Sequence, residues 1–159
     1  MRIYQLILIG CFSWLGLSSC QQSSGTGASV TIPQLSVSCT ASNCTGSSSP
    51  RIFVYITTSG CLNIAYGQVA SGTGRATCSG GACSSTPTIT WVDVSNASIT
   101  QIPSNTYDFC AIIDLTDTYA GVAVPSGDAT SSKSVSVGTS TSPVSSISLS
   151  SWINGTFLN

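Results

Sequence analysis

The chain contains no histidine and no glutamate, and it carries few charges of either sign. Its 159 residues include four Lys or Arg and five Asp, with a formal net charge of -1 at pH 7. Without histidine, the Ser-His-Asp triad, the Cys-His dyad and every His-ligated metal site are excluded. Nucleic acid is not an expected partner either, because neutralising phosphates takes several Lys or Arg on one face. The composition therefore predicts a protein that is not an enzyme and that uses no cofactor.

A long apolar run is also missing. After Arg2, mainly apolar residues run from Leu6 to Leu17, a stretch of roughly a dozen positions, whereas a helix needs about 20 to cross a bilayer. A basic residue, a short apolar core and then small residues are typical of a cleaved secretory signal peptide. The sequence predicts such a signal peptide over residues 1–19.

Leu17-Ser18-Ser19-Cys20 resembles the bacterial lipobox, the cleavage site of the lipoprotein signal peptidase. The resemblance implies that Cys20 becomes the mature N-terminus and carries a diacylglycerol thioether, usually with an amide-linked acyl chain such as palmitate. Two or three chains anchor a small domain, since each buried methylene contributes about 0.8 kcal/mol. Gln21 stands where Asp would retain an enterobacterial lipoprotein at the inner membrane, so the resemblance implies the outer membrane, with the domain facing the periplasm or the surface.

The remaining chain divides into a tether and one domain. Residues 20–33 contain the lipidated cysteine and then an uncharged stretch rich in Ser and Gly, a composition that behaves as a flexible coil. Residues 34–159 have the length of a single domain.

The cysteines of the mature chain predict disulfides. Cleavage removes Cys11 and lipidation uses Cys20, which leaves an even number in an exported chain. A zinc site of thiolates is the alternative, but an oxidising compartment disfavours free thiolates and the spacings lack the tight pairs of zinc sites. The disulfide candidates are Cys39, Cys44, Cys61, Cys78, Cys83 and Cys110.

Two of these segments, Cys39–Cys44 and Cys78–Cys83, share a four-residue spacing filled with small, turn-forming residues. Each pair could close its own loop, and Cys61 would then join Cys110. Alternatively, the two segments could bridge to each other across the fold. Spacing alone leaves both connectivities open.

Short segments rich in Val, Ile, Thr and aromatic residues alternate with clusters of Gly, Pro, Ser and Asn, and this pattern favours strands. We predict an all-β fold, an antiparallel β-sandwich of about seven to nine short strands stapled by disulfides, with no significant helix outside the signal peptide. Alternation places Tyr107, Phe109, Ala111 and Ile113 in the core. The predicted strands are 34–40, 51–58, 61–66, 75–79, 88–94, 98–102, 106–114, 121–124, 134–137 and 144–150.

The segment from Ile102 to Asp114, followed by Ser126-Gly127-Asp128 and two short closing strands, resembles the C-terminal half of transthyretin-like or immunoglobulin-like β-sandwich modules of exported bacterial proteins. The likeness extends over residues 100–150. An antibody-type domain is not expected, because Trp91 follows Cys61 at too long a spacing.

Three aspartates in the same region, Asp114, Asp117 and Asp128, predict weak calcium binding at one edge of the sandwich. The alternative is that Asp114 and Asp117 initiate a turn by bonding their own backbone. A pair of carboxylates could also hydrolyse glycosides, but solvated turn aspartates are far more common than catalytic ones.

The resulting hypothesis is a lipid-anchored envelope or surface lipoprotein that acts as a non-catalytic structural or adhesive module. Its expected partners are a membrane, through the N-terminal lipid, and a protein or glycan ligand. One alternative is a carbohydrate-binding module, with Tyr119 and Trp152 as the aromatics expected to be exposed. Another is a secreted, non-lipidated protein, in which the N-x-S/T sequons would matter. The aromatics considered for sugar stacking are Tyr55, Tyr66, Trp91, Tyr119 and Trp152, and the sequons are Asn43, Asn96 and Asn154.

Overall fold

A computed structural model describes residues 28–121, 123–138 and 144–157 of the chain. The predicted signal peptide, Cys20 and most of the predicted tether lie outside these residues. The described part is an all-β, largely antiparallel sandwich, as predicted. Its strands are β1 (Ser29–Thr31), β2 (Gln34–Cys39), β3 (Arg51–Thr57), β4 (Gln68–Arg75), β5 (Cys78–Ser79), β6 (Ala82–Ser85), β7 (Thr90–Asp93), β8 (Gln101–Pro103), β9 (Asn105–Asp114), β10 (Ala129–Val137), β11 (Ser146–Leu149) and β12 (Ile153–Asn154).

Two main sheets form the sandwich. The larger has the order β12-β10-β9-β3-β4-β7, the smaller has the order β11-β2-β6-β5, and β1 pairs separately with β8. The pairings are antiparallel except that β11 runs parallel to β2. The strands outnumber the seven to nine predicted because several, such as β5 and β12, are pairings of only two residues.

β3 and β9 lie at the centre of the larger sheet and bury side chains on both faces. Ile52, Val54 and Ile56 of β3 face the smaller sheet and pack in the main core with β2 and β11. Phe53 and Tyr55 point to the opposite, outer face, where a second apolar cluster forms. The core side of β9, from Tyr107 to Ile113, is buried as the alternation predicted.

Several segments differ from the predicted strands, and the described residues of the predicted strand 121–124 form no strand. Residues 61–66 are not a strand: a 3-10 turn at Cys61–Asn63 leads into the short helix α1 (Ile64–Gly67). Gly60 has φ 78, and this left-handed conformation turns the chain away from β3. Conversely, no strand was predicted over most of β4, because Gly and Ser have low strand propensity. Within the described part of the chain, no helix is long and apolar enough to cross a membrane.

The domain begins before residue 34. Residues 29–31, which fall within the predicted tether, form β1 and pair with β8. Ile32 is buried, and its backbone N–H donates to the carbonyl of Thr100 at 3.0 Å. Ile32 belongs to the main core and Val30 packs against it, so the end of the predicted tether is part of the folded domain.

The six cysteines form three disulfides, Cys39–Cys44, Cys61–Cys110 and Cys78–Cys83. This confirms the local pairing, although Cys39 and Cys83 are register partners on β2 and β6. By loop-closure entropy each local bridge contributes about 2 kcal/mol and the long one about 4 kcal/mol. The long bridge also fastens the segment after Gly60 to the central strand β9.

Gly72 on β4 generates a stability prediction. A Cβ at this position would lie 2.5 Å from Cε3 of Trp91 and would also clash with Ile89, so only glycine lets the β7 indole lie against β4. We expect Gly72→Ala to lower the free energy of unfolding by about 2 kcal/mol through overpacking. Urea unfolding measures the change. Thr73→Ala, at the next and exposed position of β4, is the matched control and should cost well under about 1 kcal/mol; equal effects would contradict the packing argument.

Candidate functional site

Asp114 ends the central strand β9 opposite Arg51, the first residue of β3. Nη2 of Arg51 donates to Oδ2 of Asp114 at 2.8 Å, and the carboxylate is fully buried while the arginine side chain is 40% exposed. The second oxygen, Oδ1, accepts the backbone N–H groups of Thr118 and Tyr119 at 3.1 and 3.4 Å. Both oxygens of Asp114 therefore serve the fold, one for the ion pair and one for a turn.

Asp128 organises the same loop from its other side. Its Oδ1 accepts the backbone N–H groups of Leu115 and Thr116 at 3.0 and 3.1 Å and the Thr116 hydroxyl at 2.8 Å. Its Oδ2 is buried and has no hydrogen-bond partner among the residues described. The Asp128 carboxylate thus accepts the N–H groups of the residues just after β9, where the chain leaves the sheet and has no strand partner.

These contacts argue against calcium binding at the three aspartates. The Arg51 guanidinium pairs with both Asp114 and Asp117, at 2.8 and 3.0 Å, and so takes the place that a cation would occupy between them. In the described ranges, no group of three or more His, Cys, Asp or Glu side chains could hold a metal ion. The turn interpretation is confirmed for Asp114, while Asp117 is an exposed residue with φ 56 at the tip of the turn.

The aromatic residues are distributed differently from the expectation. Tyr119 and Trp152, expected to be exposed, are only 7% and 5% exposed, because both irregular segments fold back onto a sheet. The Trp152 indole N–H donates to the carbonyl of Leu149 at 3.1 Å. Tyr66, in contrast, is 91% exposed. Its position on a one-turn helix, instead of the predicted strand, explains why sequence reasoning did not rank it first.

A groove opens on the outer face of the larger sheet, where the second apolar cluster is incompletely covered. Its cavity volume is about 460 Å³. The rings of Tyr55, Tyr119 and Phe157 line it, together with Ile112 of β9 and Val124. This mixture of aromatic and aliphatic side chains, in a cavity of this size, is typical of a small-ligand site.

The aromatic side of the groove is held in place by specific contacts. The Tyr55 and Tyr119 hydroxyls are hydrogen-bonded at 3.0 Å, and the Tyr119 ring meets Phe53 edge-to-face at a centroid distance of 4.9 Å. Arg51 in turn lies over the Phe53 ring, with Cζ 5.4 Å from the ring centroid. Burial, and to a lesser extent the Tyr55 hydroxyl, raises the pKa of Tyr119 well above its usual range.

The opposite wall is the segment fastened by the Cys61–Cys110 disulfide. Leu62 and Asn63 follow the bridged cysteine and line the groove, and the Ser59 hydroxyl donates to the Asn63 carbonyl at 2.7 Å. Gln68, at the start of β4, and Thr156 contribute the other polar side chains. A covalent bond and a hydrogen bond thus hold this short helical segment in place.

A second cavity, of about 580 Å³, lies beside β8 and the start of β9. Its polar groups are largely occupied by the fold. The Tyr107 hydroxyl donates to the Pro103 carbonyl at 2.8 Å. Asp93 Oδ1 accepts hydrogen bonds from the backbone N–H and the hydroxyl of Ser95 and from the N–H of Ala97. These bonds lower the pKa of Asp93, with the Ser95 hydroxyl as the largest cause and the Ala97 N–H as the next. The groove is therefore the better candidate site.

The ion pair between β3 and β9 predicts an asymmetric effect of charge removal. Arg51→Met leaves the Asp114 carboxylate buried without its cation and should destabilise the protein by about 2 kcal/mol, less than a fully buried pair because Arg51 is partly exposed. Arg75→Met removes an exposed arginine that is the β4 register partner of Arg51 and should cost under about 1 kcal/mol. Urea unfolding compares the two. Adding Asp114→Asn to Arg51→Met should recover part of the stability, and no recovery would contradict an uncompensated buried charge.

Buried tyrosines predict a loss of stability at alkaline pH. Burial raises the pKa of Tyr107 and of Tyr119 above the value of about 10 that they have in the unfolded chain. Their contribution is fully present below pH 10 and is lost as the pH rises from there toward the folded-state pKa. Urea unfolding between pH 9 and 11.5 should show this slope. Tyr119→Phe should flatten it and exposed Tyr66→Phe should not; identical slopes for all three proteins would contradict the assignment.

No protein-family model, curated protein or solved structure was found to match this chain.

Proposed function

We propose that this protein is an exported, lipid-anchored envelope protein whose sandwich is a non-catalytic binding module. The observation that carries the proposal is the set of three disulfides. Disulfides persist in oxidising compartments such as the periplasm and the cell surface and are rare in the cytosol. The lipobox-like sequence ending at Cys20 supports an anchor at the N-terminus.

The placement of the charged groups supports a non-catalytic role. Asp114 accepts backbone N–H groups and pairs with Arg51, and Oδ1 of Asp128 accepts the backbone N–H groups of Leu115 and Thr116. Asp93 likewise holds its own turn. Catalysis by a nucleophile needs an adjacent base, whereas these carboxylates stabilise loops.

The position of β1 supports a short connection to the anchor. Since β1 begins at Ser29, the chain between it and Cys20 spans at most about 30 Å, even when fully extended. That length keeps the domain close to the lipid surface. A sandwich with three disulfides at this distance is suited to structural or adhesive contacts in the envelope.

Lipidation at Cys20 is tested by expressing the full chain in a bacterium that processes lipoproteins. Mass spectrometry of the mature N-terminus should find a diacylglyceryl-modified Cys20, and the protein should fractionate with membranes. Cys20→Ser should remove the modification and the membrane association, because no acyl chain is then attached. Cys11→Ser, within the predicted signal peptide, is the matched control and should change neither. An unmodified N-terminus at another residue would overturn the anchor and favour a secreted protein.

A further inference from the structure

We propose that the groove on the outer face of the larger sheet binds a neutral saccharide. This inference rests on the proposed function, since it names the ligand of the exported module. The groove lies between the segment fastened by Cys61–Cys110 and the rings of Tyr55, Tyr119 and Phe157. Its volume of about 460 Å³ lies within the range of roughly 300 to 1,000 Å³ that is typical of small-ligand sites.

The charge of the lining defines the first property of the ligand. Among the described residues that form the groove, none has an ionisable acidic or basic side chain other than the tyrosine hydroxyls. Arg51 and Asp114, at the end of the same face, are already paired with each other. A charged ligand would lose its hydration in the groove without gaining a counterion. The lining therefore favours a neutral ligand.

The polar groups define the second property. Asn63, Gln68 and Thr156 surround the apolar floor, and each side chain can both donate and accept hydrogen bonds. A sugar hydroxyl also donates and accepts, so it can satisfy any of these groups in either direction. A purely apolar ligand, such as an acyl chain, would cover them and leave them unpaired, which costs free energy. The ring faces of a neutral sugar are in turn apolar enough to lie against the Tyr55 ring, which is the half-buried aromatic of the floor.

The backbone of the sheet distinguishes a saccharide from a peptide. An extended peptide usually binds by adding a strand to an open sheet edge, where backbone groups are free. The groove lies instead over β3 and β9, which are interior strands paired on both sides. A peptide lying there would leave its own backbone N–H and C=O groups without a ladder to join. A saccharide does not need such a ladder.

The site is largely preformed. The disulfide holds one wall, and the hydrogen bond between the Tyr55 and Tyr119 hydroxyls at 3.0 Å holds the other. Binding therefore orders few groups that are not already ordered in the free protein. Leu62, which is 53% exposed beside Asn63, is the apolar residue of the wall that a ligand would cover.

Isothermal titration calorimetry on the full chain tests the inference, with the protein kept in a detergent that has no sugar headgroup. The probes are neutral hexasaccharides of glucose, mannose and N-acetylglucosamine, and the charged comparator is a hexasaccharide of galacturonic acid. We expect at least one neutral probe to bind and the charged one not to bind. Asn63→Ala and Leu62→Ala should each weaken binding about five- to tenfold, because the first removes a hydrogen-bonding amide and the second removes apolar surface that the sugar would cover.

Two control variants locate the site. Gln101→Ala removes an amide from the other cavity and should leave the affinity unchanged. Tyr66→Ala removes the most exposed aromatic, which does not line the groove, and should also leave it unchanged. Melting temperatures close to that of the wild type would show that all four substitutions leave the fold intact, as expected at solvent-accessible positions.

Several outcomes would overturn the inference. They are the absence of binding to every neutral probe, binding that Tyr66→Ala or Gln101→Ala weakens while Asn63→Ala does not, and tighter binding of the charged hexasaccharide or of an apolar decapeptide titrated in the same way. The outcome is independent of the anchor. A lipidated protein that binds no sugar would contradict only the saccharide site, and a sugar-binding protein with an unmodified Cys20 would contradict only the anchor.

Discussion

The pairing of β3 with β9 is the constraint on which the rest of the structure depends. These strands align in register from Arg51 and Asp114 at one end to Thr57 and Asp108 at the other. Because both strands are interior, their alternating side chains fill two apolar clusters, one on each face of the sheet. The same register places an arginine beside a buried carboxylate. The core, the ion pair and the floor of the groove are thus consequences of one alignment.

The chain has few charged side chains, and most of those near the β3–β9 pairing stabilise loops. Asp114 and Asp128 each accept backbone N–H groups of the segment that follows β9, and Arg51 neutralises the first of them. This segment brings Tyr119 back over the outer face, where it meets Phe53 and Tyr55. The disulfide from Cys61 to Cys110 brings the opposite wall over the same face. What remains between the two is a groove whose described lining carries no ionisable side chain other than the tyrosine hydroxyls, which is why we infer a neutral ligand.

The parts of the fold that sequence reasoning predicted well are those with strong local signals. β2, β3 and β9 begin and end within a residue or two of the predicted bounds, because alternating or continuous runs of Val, Ile and aromatic residues favour strands wherever they occur. The local disulfides were one of the two connectivities that the sequence left open, and the turn-forming residues between closely spaced cysteines are compatible with them. β4 was largely missed because its glycines weaken the strand signal, yet Gly72 is required there by the Trp91 ring. The need for glycine comes from Trp91 on the neighbouring strand β7, so the residues next to Gly72 in the sequence do not indicate it.

The sequence by itself determined the fold class, the six cysteines available for disulfides and the exclusion of histidine chemistry, because each depends only on residue type and spacing. The tertiary structure decided which aromatic residues are exposed and what the aspartates bind. Tyr119 and Trp152 are buried by segments that return from other parts of the chain, and Asp114 pairs with Arg51 across the sheet. Both outcomes depend on contacts between residues far apart in sequence, which local patterns do not encode.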